Sequence, residues 1–200
     1  MSIRVSHWSI ENNSGMHNVA LTLAASETKL GLQSQLCNPE KPDSWLLAED
    51  SDVHVVHTHF PDQMRRRVTK PLKIVWIGHG TPEHVFHNSV ENGLKGGYAP
   101  GDSFMLMQHW LRTADALVTF WPRHQAIYQS MCDKGRVVNL VPLGVDKGMW
   151  KPVATRGKFT GNPSVFSSEN PHYIKWPLDL IIAWPWVRES VPECHLHLTY

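Results

Sequence analysis

Val137-Val138-Asn139-Leu140-Val141-Pro142-Leu143-Gly144-Val145-Asp146 is the stretch that decides how the chain is read. Its nearly continuous apolar run has the composition of a parallel strand buried on both faces. Pro142 ends the run, because proline has no N–H to give to a sheet ladder, and Gly144 lets the backbone turn where a side chain would crowd it. Upstream of this seam, strand-like and helix-like segments alternate. Downstream come a polar, proline-containing connection and another strand-helix-strand pattern. The stretch therefore reads as the last strand of one domain and the exit towards a second. The expected divisions are a first domain at 1–146, a linker at 147–162 and the first elements of a second α/β domain at 163–200.

Working outward from the seam, strands are expected at 3–7, 33–37, 53–57, 73–77, 116–119 and 137–141. Val19, Ala20, Leu23 and Ala24 recur at helical spacing, so the first helix is expected to start near His17 and to end at a Gly31 cap. Residues 38–52, rich in Pro, Asp, Glu and Ser, read as a surface connection, and four glycines and a proline make 92–101 a loop. Asp102 and Pro122 open two further helices, Pro122 in the first turn where its missing N–H costs nothing. Beyond the seam the pattern predicts a strand at 164–167, a helix at 176–188 and a strand at 195–198. This rhythm predicts a doubly wound, mostly parallel, Rossmann-like α/β sheet, whose ligands gather beyond the carboxyl ends of its strands.

Composition narrows the partners. The chain has 200 residues, 42% of them hydrophobic, enough for a sizeable core. Nineteen Lys and Arg against eighteen Asp and Glu give a net charge of +1, which offers no reason to expect a nucleic-acid partner. Cys37, Cys132 and Cys194 are widely spaced, as expected of reduced thiols in a cytoplasmic protein. No basic segment precedes an apolar stretch, and no window approaches the length of a membrane span. The basic run Arg65-Arg66-Arg67 with Lys70 and Lys73 reads as a solvated helix face, or as a contact for anionic headgroups at the membrane periphery.

Candidate site residues fall at the strand ends. Ser14-Gly15-Met16-His17-Asn18 joins strand one to a helix N-terminus, where backbone N–H groups and the helix dipole favour an anion. The same residues equally make a plain turn with a cap, and the three spaced glycines of a dinucleotide fingerprint are missing. His57 and His59 alternate at strand spacing, yet zinc needs three or four ligands, so lining of a cleft is the better reading and no metal is expected. His79, between Gly78 and Gly80, can donate to or accept from a hydroxyl. Asp50-Ser51-Asp52 resembles a cation-holding pair, but it precedes strand three and so belongs at the opposite edge.

Taken together, these segments resemble the GT-B glycosyltransferases, specifically the retaining, nucleotide-sugar-dependent glycosyltransferase family four. The resemblance rests on the glycine loop and the helix Asn18-Val19-Ala20-Leu21-Thr22-Leu23-Ala24, on Asp52-Val53-His54-Val55-Val56-His57-Thr58-His59, on His79-Gly80, on Ala114-Asp115, and above all on Val141-Pro142-Leu143-Gly144-Val145-Asp146. It implies that Gly15 and Met16 lie against the donor phosphates, that His79 is catalytic beside the transferred sugar, that Lys175 neutralises the departing diphosphate, and that His17, His57, His59 and Gly80 line the acceptor cleft. It also implies no cofactor beyond the nucleotide diphosphate sugar itself, and a carbohydrate or lipid-linked acceptor. Where the family has a Gly-Arg pair ahead of the lysine, this chain has Ser167-Ser168-Glu169-Asn170, and the resemblance implies that the family's donor-side Glu-x7-Glu motif lies further on than Tyr200. The expectation is an acceptor-side domain with the opening of a donor-side domain, the rival being a non-catalytic carbohydrate- or nucleotide-binding module. Apolar residues after the seam, among them Ile174, Leu178, Ile181, Ile182, Trp184 and Trp186, would favour self-association if left uncovered.

Overall fold

The computed structural model describes residues 2–11, 15–57, 60–80, 102–144, 161, 164–167 and 177–198. The chain divides into two compact units, Met1–Leu143 and Gly144–Tyr200. Residues 145–160, His59 and Lys175 lie outside the described residues.

The first unit contains strands β1 (Arg4–Trp8), β2 (Gln33–Cys37), β3 (Val53–Val56), β4 (Ile74–Gly78), β5 (Ala116–Thr119) and β6 (Val138–Leu140). Between them run helices α1 (Gly15–Lys29), α2 (Pro42–Ala48), α3 (Asp62–Arg67), α4 (Asp102–Thr113) and α5 (Pro122–Met131). The strands form one parallel sheet in the order β2-β1-β3-β4-β5-β6, a Rossmann-like α/β arrangement. From β1 the chain steps outward to β2, then crosses back over β1 and continues the other way from β3. Right-handed crossovers therefore put α1 on one face and the later helices on the other. The reversal between β1 and β3 is a topological switch point, where loops diverge and leave a crevice at the carboxyl edge.

Alternation along each strand separates the two faces. Trp8, Val56, Ile74, Trp76, Leu117 and Val138 pack in one buried cluster with Ala48 of α2, Met64 of α3, Trp110 of α4 and Tyr128 of α5. On the other face Val5, Val55, Ile77 and Phe120 form a second cluster with Val19 and Leu23 of α1. Burial of a large apolar side chain contributes roughly 1.5–3 kcal/mol, so both faces stabilise the sheet, the aromatic one most.

Three expectations are corrected. The segment 38–52 is more than a surface connection, because α2 forms within it: Pro42 stands in its first turn, Ala48 is buried, and Trp45 packs on the core while its Nε1–H donates to Pro39 O at 3.0 Å. Helix α1 begins at Gly15, not near His17, and ends as expected at Gly31, whose φ of 88° is the left-handed value of a helix cap. Strand β6 is not buried on both faces. It is the last strand of the sheet among the described residues: Asn139 within it is exposed, and so are Val137 and Val141 on either side of it, at 65% and 49%.

In the second unit β7 (Ser164–Ser167) and β8 (His195–Leu198) pair in parallel, with α6 (Pro177–Ser190) between them in sequence. Gly161 adopts a φ of 101°, and a Cβ there would stand 2.6 Å from Cβ of His195, so glycine is required. Ile181, Ile182 and Trp186 on α6 are exposed. Among the described residues no helix is long and apolar enough to cross a membrane.

Candidate functional site

On the α1 face, three strands end in the same way. Val5-Ser6-His7, Val55-Val56-His57 and Ile77-Gly78-His79 each carry an apolar residue and, two positions on, a histidine pointing to the same side. The register staggers them. His7 stands opposite Val55, so His57 is two residues nearer the carboxyl edge; Val56 stands opposite Trp76, so His79 is two residues nearer again. The result is a diagonal staircase of imidazoles. His7 Nδ1 lies 3.0 Å from His57 Nε2, and His57 Nδ1 lies 2.9 Å from His79 Nε2. At the inner end, His7 Nε2 meets Glu27 Oε2 at 2.8 Å, and Ser34 Oγ donates to the same oxygen at 2.7 Å. Glu27 reaches the row from the last turns of α1, Ser34 from β2. On β5 the next step is taken by Phe120, whose ring packs edge-on against His79 at 5.3 Å.

Burial sets the electrostatics. His7 is fully buried and His57 is 4% exposed. Burial, reinforced by the neighbouring His79 and His7, pushes the His57 imidazole down to about 2, and burial pushes His79 down to about 4. Both rings are therefore neutral at physiological pH. Burial works to raise the Glu27 carboxyl, but the hydrogen bonds from His7 and Ser34 outweigh it and leave Glu27 below its usual value, an ionised carboxylate.

The His79 imidazole is flanked by the His57 and Phe120 rings in spite of the glycines on either side of it. Gly78 instead makes room on the opposite face, where a Cβ would stand 2.5 Å from Tyr128 Cε2 and 2.9 Å from Trp76 Cη2. Tyr128 then donates its hydroxyl to Gly80 O, and Thr119 Oγ1 donates to Gly78 O at 3.2 Å. The Gly78-His79-Gly80 segment is thus fixed from below while His79 keeps its place at the carboxyl edge.

Gly15 is the first residue of α1, and a Cβ there would meet nothing within 4 Å among the described residues. The fold itself does not demand glycine at this position. His17 follows in the same turn beside a depression of about 350 Å³ between the carboxyl ends of β1 and β2, lined also by Ser9, Glu11, Asn38, Lys41 and Ser44. Lys41 pairs with Glu11 across it, and the hydrogen bond and charge of Lys41 hold the Glu11 carboxyl low. Met16 is half-buried.

At the amino edge, Asp50-Ser51-Asp52 is an anchor and not a cation pair. Asp52 Oδ2 accepts from the Arg4 N–H at 2.9 Å, Lys70 lies 3.7 Å from Asp52 Oδ1, and buried Ser51 shares a 2.6 Å hydrogen bond with Ser6. Much of the basic run is likewise engaged: Arg65 lies over the Trp110 ring at 5.2 Å, and Lys73 stands 3.6 Å from Asp115. No group of three or more His, Cys, Asp or Glu positioned to hold a metal occurs among the described residues.

The structure thus joins His79 to His57, and sets Gly15, Met16 and His17 together in the first turn of α1. His7 and Glu27 escaped the sequence reading. The apolar-x-His triplet repeated at three strand ends was the available signal for His7; Glu27, in the last turn of α1, offered none. No protein-family model matches this chain, and no curated protein matches it.

Proposed function

We propose that this chain is a GT-B glycosyltransferase, or the N-terminal part of one, passing a hexose from a nucleotide diphosphate sugar to an acceptor hydroxyl with retention of configuration. The observation that carries the reading is the shared sheet edge: the staircase ends in a neutral imidazole at His79, at the same carboxyl edge from which α1 opens after β1 on Gly15. A helix N-terminus with no side chain in the way suits a diphosphate, and a neutral imidazole suits a sugar hydroxyl. Charge developing on the departing diphosphate would be met by that helix end and by Lys175, an electrostatic stabilisation that needs no covalent intermediate.

Titration calorimetry of the chain with a panel of nucleotide diphosphate hexoses, carried to millimolar concentration, together with product analysis by NMR, tests this reading. Binding of at least one donor, weakened by Gly15→Val, and a product retaining the donor's anomeric configuration are expected. Donor binding without transfer would instead identify a non-catalytic binding module, a reading favoured by Ser167-Ser168-Glu169-Asn170 in place of the Gly-Arg pair. Absence of binding to every donor would overturn both.

A further inference from the structure

We propose that Glu27, His7 and His57 form a proton relay behind His79, carrying a proton taken up at His79 Nδ1 to the Glu27 carboxylate. The inference rests on the transfer reading only in taking His79 as the ring at the reacting end, and its test uses no donor sugar.

The argument begins with what each atom can do. An ionised carboxylate only accepts, so His7 Nε2, 2.8 Å from Glu27 Oε2, carries a proton. The relay takes His7 as a neutral imidazole, with one N–H and one lone pair, so that its Nδ1 is bare and accepts from His57 Nε2–H at 3.0 Å. By the same rule His57 Nδ1 is bare and accepts from His79 Nε2–H at 2.9 Å. The resting row is therefore three Nε2–H rings, all donating towards Glu27, with the lone pair of His79 Nδ1 left for a reacting hydroxyl.

A second arrangement satisfies the same distances. When a hydroxyl O–H bond breaks and its proton joins His79 Nδ1, the His79 Nε2 proton passes to His57 Nδ1, the His57 Nε2 proton to His7 Nδ1, and the His7 Nε2 proton to Glu27 Oε2. Each lone pair becomes an N–H or O–H bond as the bond behind it opens, and each emptied Nε2 becomes the acceptor of the contact it formerly donated to. The balance is one hydroxyl turned to an oxyanion, whose electron pair can attack, and one carboxylate turned to a carboxylic acid. Return of a proton along the same row to a departing group restores the starting pattern.

The surroundings favour conduction over mere support. His7 and His57 are sealed from water, whereas the Glu27 side chain is 25% exposed and can exchange its proton with solvent. Burial keeps the middle ring from resting as a cation, so it hands on one proton as it receives another. A row needed only for packing would be cheaper in apolar residues, as Phe120 shows by taking the next step on β5.

Long-range proton–nitrogen NMR of the full chain, labelled with nitrogen-15 in histidine, reads the tautomers directly. Near neutral pH a uniform pattern is expected, with Nε2 protonated and Nδ1 bare in all three rings. Glu27→Gln removes the proton's destination and is expected to shift the nitrogen resonances of His7, His57 and His79 together. A mixed tautomer pattern in the native chain, or a response to Glu27→Gln confined to His7, would overturn the relay. Should the variant fail to fold, the native tautomer pattern decides alone.

Discussion

On the face covered by α2 to α5, Trp8, Val56, Trp76 and Tyr128 carry the apolar layer out to the carboxyl edge, and Gly78 exists to let Tyr128 and Trp76 close together. On the α1 face the valines stop short of that edge and histidines replace them. The same two-residue alternation builds both faces, so the difference does not come from secondary structure. It follows from topology: one helix after β1 crosses one face, the remaining helices cross the other, and the switch point leaves polar groups a place where stability can be given up.

Acid should have the largest effect, with two of the three depressed histidines on the α1 face and one on the other. His57 and His79 on the α1 face, and His54 on the other, are all held below 6.5, chiefly by burial, His54 and His79 to about 4 and His57 to about 2. The unfolded chain therefore takes up protons first as pH falls through 6.5. Their stabilising contribution is complete above that pH and is lost towards pH 4, each ring adding a slope of about 1.4 kcal/mol per pH unit. Urea midpoints measured between pH 7.5 and 4.5 should fall steadily, and a flat profile would erase the distinction drawn above.

Trp8→Ala attacks the apolar face at its largest fully buried side chain. It should cost about 3–5 kcal/mol in the same measurement, because it empties a packed site and removes the indole N–H that donates to His54 Nδ1 at 3.2 Å. A loss below 1 kcal/mol would show that this layer does not dominate the core. Gly78→Ala should cost about 1–3 kcal/mol by overpacking against Tyr128 and Trp76, and its retention of full stability would mean that the two rings yield easily. Gly15→Val belongs at the small end: open space around the site predicts a stability change within about 0.5 kcal/mol, together with weaker donor binding by calorimetry. A change in stability as large as that of Gly78→Ala would place Gly15 in the framework.

Periodicity made the alternation of strands and helices legible, since buried parallel strands and amphipathic helices carry their own patterns. Helix α2 did not show, because Pro42, Asp43 and Ser44 look like loop chemistry and only Trp45 and Ala48 tie it down, through contacts distant in sequence. The exposure of β6 was equally hidden: an apolar run does not say whether a strand is central or last. His57 and His79 were visible as residues at strand ends. Their connection to His7 and Glu27 was not, since it depends on the stagger between neighbouring strands and on where α1 comes to rest.

Cys37, the last residue of β2, offers a chemical clock for the sheet. It lies at the outer strand, is 1% exposed, and burial pushes its thiol up to about 11, the weaker hydrogen bond with Ser6 opposing the shift. A thiol so placed cannot be alkylated in the closed molecule, since only the thiolate reacts. Its labelling rate by a haloacetamide, followed by mass spectrometry with half-buried Cys132 as an internal reference, therefore counts how often β2 unzips from β1, without unfolding the protein.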